Sequence, residues 1–416
     1  MYIEFRVENH RSIREEQALT FEASNIGADD DPVVRSMESL KLLPSLALYG
    51  GNASGKSNML SALAFFRDAV VSSQGSWSPN TGVPRDPFVW GGGAAEPSTF
   101  EVTLLIGATR LQYGFVADDQ RFLEEWIYAW PKGRKQTWLE RDGDQLSFGE
   151  HLSGPNKQSE EILRPNSLFL SAAAQNNHKQ LMPLFEAITS VQTVGLGGRA
   201  GVLERAVASW TLRQELFRAA TAPEPSAEWI QGFRGLLQAA DTGIVDLRVA
   251  TDEAEVGSRG RTPRARLLLK HQREDETAWL PLEEESGGTQ TLVRLAPMFL
   301  EVLRSGGLLV VDELGADLHT LLVLHILRHF SDPQLNPKNA QLLFATHDTN
   351  LLGTTLGEPA LRRDQVWLTE KCPNGATHVY PLTDYKPRKG ENLERGYLQG
   401  RYGAIPILGA LVPEEG

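Results

Sequence analysis

Apolar positions along this chain follow three different rhythms. Tyr2 to Val7 alternates and is rich in β-formers, which predicts a strand. Ser45 to Tyr49, Leu308 to Val311 and Leu342 to Thr346 are short unbroken apolar runs, the pattern of strands buried in a core. From Ser57 the period lengthens: Met59, Leu63, Phe66 and Val70 fall at helical spacing. Glycines separate that helix from the strand before it, so the order is strand, loop, helix. Residues 72–98 are rich in Gly, Pro and Ser and predict a long, mobile surface loop. Beyond it come four strand-like runs, Thr99 to Ile106, Leu111 to Ala117, Phe122 to Trp130 and Gln136 to Arg141, then an Asp142-Gly143 turn. They predict an antiparallel patch inside an α/β chain. Helices are expected over Leu203–Ala220, Glu228–Ala240 and Gly288–Leu303, and strands over Ile244–Ala250 and Arg264–His271. Neither an internal repeat nor a sustained heptad run occurs.

The 416 residues suffice for two or three packed lobes. With 41% hydrophobic and 23% charged residues the chain is not globally disordered. A net charge of −12 repels nucleic acid on average, so any such contact needs a local basic patch. The single cysteine, Cys372, makes neither an internal disulfide nor a zinc cluster, which fits a reducing cytoplasm. No apolar run approaches the ~20 residues that span a bilayer, and the first residues lack the apolar region of a signal peptide. A soluble cytoplasmic protein without membrane partners is expected.

The chemistry concentrates in Gly50-Gly51-Asn52-Ala53-Ser54-Gly55-Lys56-Ser57-Asn58, which contains G-x-x-x-x-G-K-[ST]. Glycines there let backbone N–H groups curl around a β-phosphate, and the helix that follows turns its positive end to the same anion. Lys56 would bridge the β- and γ-phosphates, and Ser57 would ligate Mg²⁺. Such a loop needs a carboxylate at the end of a neighbouring buried strand. Leu308–Val311 supplies it with Asp312 as the magnesium ligand, and the adjacent Glu313 is placed to act as general base on water. Lys56 and Asp312 lie 256 positions apart, so most of the chain is inserted between the two halves of one site. Upstream stands Ser286-Gly287-Gly288 before a helical stretch, a second anion-binding helix end. It is explained if it completes the active site of another subunit.

These motifs resemble those of ABC-type ATPases. Ser286-Gly287-Gly288 looks like the signature motif shortly before the Walker B strand. "LFATHD" resembles the strand carrying the switch histidine, here His347, and "ADLH" the D-loop, with His319 where many members have aspartate. In "SLFLSAAAQNN", Gln175 would be the Q-loop glutamine that reaches Mg²⁺ and the attacking water. The opening "IEFRVENHRSI" is similar to the SMC-like and RecF-like branch, which by analogy puts Arg11 and Ser12 near nucleotide. "DELGADLHT", "ATHDTNLL" and "RRDQVWLTEK…GYLQGRYGAIP" resemble bacterial stand-alone AAA-type ATPases of phage defence, RloA-like and OLD-related.

That resemblance implies an SMC-like head without coiled-coil arms. It would comprise an N-terminal ATPase lobe over 1–200 with the phosphate loop and an antiparallel β subdomain, a small helical insertion over 201–243, and a C-terminal lobe over 244–416. It also implies ATP and Mg²⁺ as ligands and a head-to-tail dimer around two ATP molecules. A separate effector protein is expected, such as a TOPRIM or RloB-like nuclease, since no glutamate plus D-x-D pattern follows His347. A RecF-like repair ATPase acting directly on DNA is the alternative. Basic residues interleaved with tyrosines in the tail, Arg362 to Tyr402, fit a DNA or RNA track, a docking face or a solvated surface.

Overall fold

The computed structural model describes residues 1–25, 33–37, 40–196, 227–240, 243–251, 265–273, 276–355, 357, 359–388 and 390–406. The helix expected over 203–220 lies outside them. A six-stranded sheet organises the rest, in the order Gln192–Val194, Leu308–Val311, Gln341–Ala345, Ser45–Gly50, Val366–Lys371, Thr377–Pro381. All neighbours are parallel except the last pair. Parallel strands need crossovers that cover both faces, and these strands are buried at alternate positions on opposite sides. Leu46 and Leu48 enter one core, and Ala47 and Tyr49 enter the other.

The first core holds helix Lys56–Ser72, packed between this sheet and a seven-stranded antiparallel sheet. Phe66 of that helix stacks on Phe115 with ring centroids 5.5 Å apart. The antiparallel sheet contains Tyr2–Glu8 and the four expected strands, with Gln145–Phe148 added after the Asp142-Gly143 turn. On the opposite face, helices Ala227–Ala239, Gly287–Ser305 and Thr320–Ser331 form the second core. A three-stranded antiparallel sheet, Ile244–Thr251, Ala265–Arg273 and Glu276–Pro281, leads directly into the Ser286 segment. Among the described residues no helix is long and apolar enough to cross a membrane.

Residues 72–98 differ from the mobile loop expected of their composition. The Asn9 amide donates to the carbonyls of Gly93, Glu96 and Pro97 at 2.7–3.0 Å. Buried Arg85 donates to Ala94 and Glu96 carbonyls and pairs with Asp119 at 2.8 Å. Glycine-rich sequence here supplies turns for a segment tethered through the carbonyls of Gly93, Ala94, Glu96 and Pro97.

Candidate functional site

Strand Ser45–Gly50 ends at the loop, and the loop ends in the helix that begins at Lys56. Two glycines are required here for different reasons. A Cβ on Gly50 would stand 2.3 Å from Thr369 Oγ1. On Gly55 it would stand 2.1 Å from Thr377 Oγ1, and the Gly55 backbone is left-handed with φ +114°. Ala53 also adopts a left-handed conformation, at φ 61°. The loop is held open by a hydrogen-bond chain: Asn58 Nδ2 donates to Ser12 Oγ, Ser12 to Thr377 Oγ1, and Thr377 to the Ser54 carbonyl, at 2.6, 2.7 and 2.8 Å. A parallel link joins Ser54 Oγ to Thr369 Oγ1 at 2.6 Å. Gly55→Ala is therefore expected to destabilise the protein by about 3 kcal/mol, from overpacking plus an unfavourable φ, and to abolish nucleotide binding. A thermal melt and a nucleotide titration check both effects.

Lys56 is buried and donates from Nζ to the Gly50 and Gly51 carbonyls at 2.9 and 3.1 Å. Burial pulls its pKa down, and the charges of Asp312 and Glu313 oppose that shift. The two carboxylates thus stand with Lys56 at the carboxyl ends of interior strands that flank Gln341–Ala345. Asp312 is pushed up chiefly by burial, with the Ser57 hydroxyl bonding to it and lowering it in part. Its Oδ1 is buried without a hydrogen-bond partner. Glu313 follows in a left-handed conformation, φ 55°, with its side chain exposed. A non-glycine residue held there carries backbone strain of the kind found at functional sites. His347 stands at the end of the adjacent strand. Burial, and then the charge of Lys56, lower its pKa, so its imidazole is neutral at pH 7.

Two ligands fit these residues. The glycine cradle that no Cβ could share, closed by Lys56, fits a phosphate chain. The orphaned Asp312 oxygen beside the Ser57 hydroxyl fits a hard cation such as Mg²⁺. A buried carboxylate oxygen without a partner is also a cost to the empty protein. Its raised pKa means the folded state holds the proton more tightly, so this contribution falls as pH rises through the raised pKa. Asp312→Asn should therefore melt higher than wild type at pH 8 without nucleotide, by about 1–2 °C. That gap should close as pH drops into the carboxylate range.

Ser286 caps helix Gly287–Ser305 by accepting from Thr289 N at 3.2 Å, and Ser286 and Gly287 are exposed. A Cβ on Gly288 would stand 2.6 Å from the Asp317 carbonyl, so only glycine lets the D-loop pack on this helix end. His271 of the three-stranded sheet meets the Glu285 carboxylate at 2.6 Å and anchors the segment, a structural role for that histidine. His319 caps the next helix by accepting from Leu321 N through Nδ1 at 3.2 Å, which gives the unusual D-loop histidine a local reason.

One expected site residue stands elsewhere. Gln175 is exposed, with Nε2 2.7 Å from a Cβ placed on Gly75, beyond the far end of the phosphate-loop helix. Seventeen residues of helix put it about 25 Å from Lys56, so it is not the glutamine at the magnesium site. Gln175 ends helix Phe169–Gln175, and a single glutamine carries too little pattern to be placed from sequence. Ser12 and Asn58 spend their polar groups on loop support, and the Arg11 guanidinium pairs with Asp86 at 3.3 Å. In the tail, Arg362 pairs with Asp364 and Arg401 with Glu391. Tyr397 and Tyr402 are core residues. The tail is a folded cap, and acids neutralise part of the basic track. Sequence reasoning missed Thr369 and Thr377, which no motif marks.

Fold and loop together define a P-loop nucleotide-binding protein. Over residues 45–353, about three quarters of the chain, the sequence matches the family described as "AAA domain, putative AbiEii toxin, Type IV TA system". The chain belongs to that family of ATPases. Among solved structures it is similar to an Smc head bound to the C-terminal winged-helix domain of ScpA, at 13% identity and TM-score 0.46, covering 91% of this chain and 97% of that one. It is also similar to the SMC head domain from Thermotoga maritima, at 13% identity and TM-score 0.38, covering 91% and 98%. A third is the Pyrococcus furiosus Smc head with an extended coiled coil bound to the C-terminal domain of ScpA, at 13% and 0.39, covering 96% and 98%. No curated protein matches the chain.

Proposed function

We propose that this protein is an ATP-hydrolysing switch that dimerises head to tail around two ATP molecules and controls a separate effector in a bacterial defence system. One observation carries the switch: Lys56, Asp312, Glu313 and His347 follow the carboxyl ends of three adjacent parallel strands, while the Ser286–Gly287 helix end lies exposed on the same chain. A second copy would bring its Ser286 and Gly288 to the nucleotide held by the first. Lys56 and the loop N–H groups bind the phosphates. Ser57 and Asp312 would hold Mg²⁺, which when bound neutralises charge on the phosphate oxygens. Glu313 accepts the proton of the attacking water. His347, kept neutral, donates an N–H to the γ-phosphate. Loss of that phosphate removes the contacts that bridge the subunits, and the interface opens.

The effector is the part furthest from the site chemistry. It is supported by the family's description as a toxin of a type IV toxin–antitoxin system and by the resemblance of the tail and switch segments to phage-defence ATPases. A nuclease is the effector class proposed. Co-expression with the neighbouring genes followed by affinity capture tests it. A stoichiometric nuclease partner is the expected result, and a partnerless protein that binds DNA only with ATP would replace this reading with the repair one.

A further inference from the structure

The tail motif "GYLQGRYGAIP" is not absorbed by the nucleotide chemistry, yet it folds against the phosphate loop. Tyr397 lies on helix Leu393–Leu398, and its ring meets Tyr49, the residue before the loop, at 5.7 Å in an edge arrangement. Its hydroxyl donates to the Ala404 carbonyl at 3.1 Å, two residues before Pro406. The chain then turns back over the loop, so that a Cβ on Gly51 would stand 3.3 Å from Pro406 N. The same short helix reaches the switch segment: Thr349 Oγ1 donates to Glu394 at 3.2 Å, and Tyr49 donates to the Asp348 carbonyl at 2.9 Å. One element therefore touches both the start of the phosphate loop and the residues just after His347.

We infer that residues 393–406 form a strap that sets the phosphate loop, with Tyr397 as a positioning residue for ATP binding. The inference rests on the ATP-site reading above. Gly50 is the hinge between a rigid strand and the loop, and its own carbonyl accepts from Lys56. With Ala404 held by Tyr397, Pro406 is held over Gly51, whose carbonyl also accepts from Lys56. Losing the hydroxyl leaves the ring packed on Tyr49 but frees the 404–406 turn over Gly51, at about the value of one buried hydrogen bond.

Tyr397→Phe tests this, with MgADP and the non-hydrolysable analogue Mg·AMP-PNP as probes and calorimetric titration as readout. Both affinities should fall about three- to tenfold, KM for ATP should rise more than kcat falls, and the melting temperature without nucleotide should fall by only about 2 °C. Affinities equal to wild type, or a fall in melting temperature with affinity unchanged, would overturn the strap and leave a packing tyrosine. Should Tyr397→Phe fold poorly, Pro406→Ala serves. That proline is exposed, and about a twofold affinity loss is expected, no change again overturning the strap. Lys56→Ala runs beside them. If wild type and Lys56→Ala bind the probes equally weakly, the ATP site itself is wrong and the strap falls with it.

Discussion

Glu313→Gln is expected to lower ATP turnover by about 10²- to 10⁴-fold, the range for losing a general base, while ATP binding survives. The substitution keeps the shape of the side chain and removes only its ability to accept a proton. Glu313 has the geometry for that role. It follows the buried strand by two residues, its left-handed backbone turns it out of the sheet, and its side chain is exposed at the strand ends where Lys56 and His347 also stand. Asp312, by contrast, is partly buried beside Ser57, which suits a ligand rather than a base. With hydrolysis blocked and ATP retained, the bridging contacts persist, and the variant should accumulate as an ATP-bound dimer. Single-turnover hydrolysis measures the first effect. A wild-type rate would remove Glu313 from the mechanism.

Lys56→Ala should abolish measurable ATP binding. Charge-assisted hydrogen bonds contribute about 1.5–3 kcal/mol each, and an ammonium bridging two phosphates makes at least two. The expected loss is then at least about 10²-fold in affinity. The empty protein should also change. Lys56 is buried and its Nζ satisfies the Gly50 and Gly51 carbonyls. Removing it leaves those carbonyls without that donor and removes the charge that adds to burial in holding the His347 pKa down. His347 should therefore titrate at higher pH in the variant, which NMR of the imidazole detects. Retention of ATP affinity within threefold would contradict the phosphate-loop assignment.

The parts legible in the sequence were those where one residue type has one physical use. Glycines between an apolar run and a helical period mark the loop, and the structure adds only why Gly55 admits no side chain. The strands at 308–311 and 122–130 carry their own boundaries, an acidic pair and a turn. Other features depend on partners far away in the chain. Thr369 and Thr377 support the loop from strands 320 residues downstream of Tyr49 and 323 downstream of Ser54, and nothing local distinguishes them from other threonines in strands. Arg85 and Asn9 tether residues 72–98, so composition alone suggested a freedom that long-range donors remove. Gln175 failed for the converse reason: a plausible neighbourhood in sequence, placed by helix geometry at the wrong end of Lys56–Ser72. The tail was read by its charges, but Tyr397 and Tyr402 point inward and their hydroxyls bond within the fold.

The central claim is that bound ATP joins two copies of this chain. Sedimentation of the Glu313→Gln protein with MgATP, with MgADP and without nucleotide tests it most directly. The account predicts twice the monomer mass with MgATP and monomer in the other two conditions, with Ser286→Arg abolishing the dimer while leaving ATP bound. A protein that binds MgATP and stays monomeric at every concentration would contradict it.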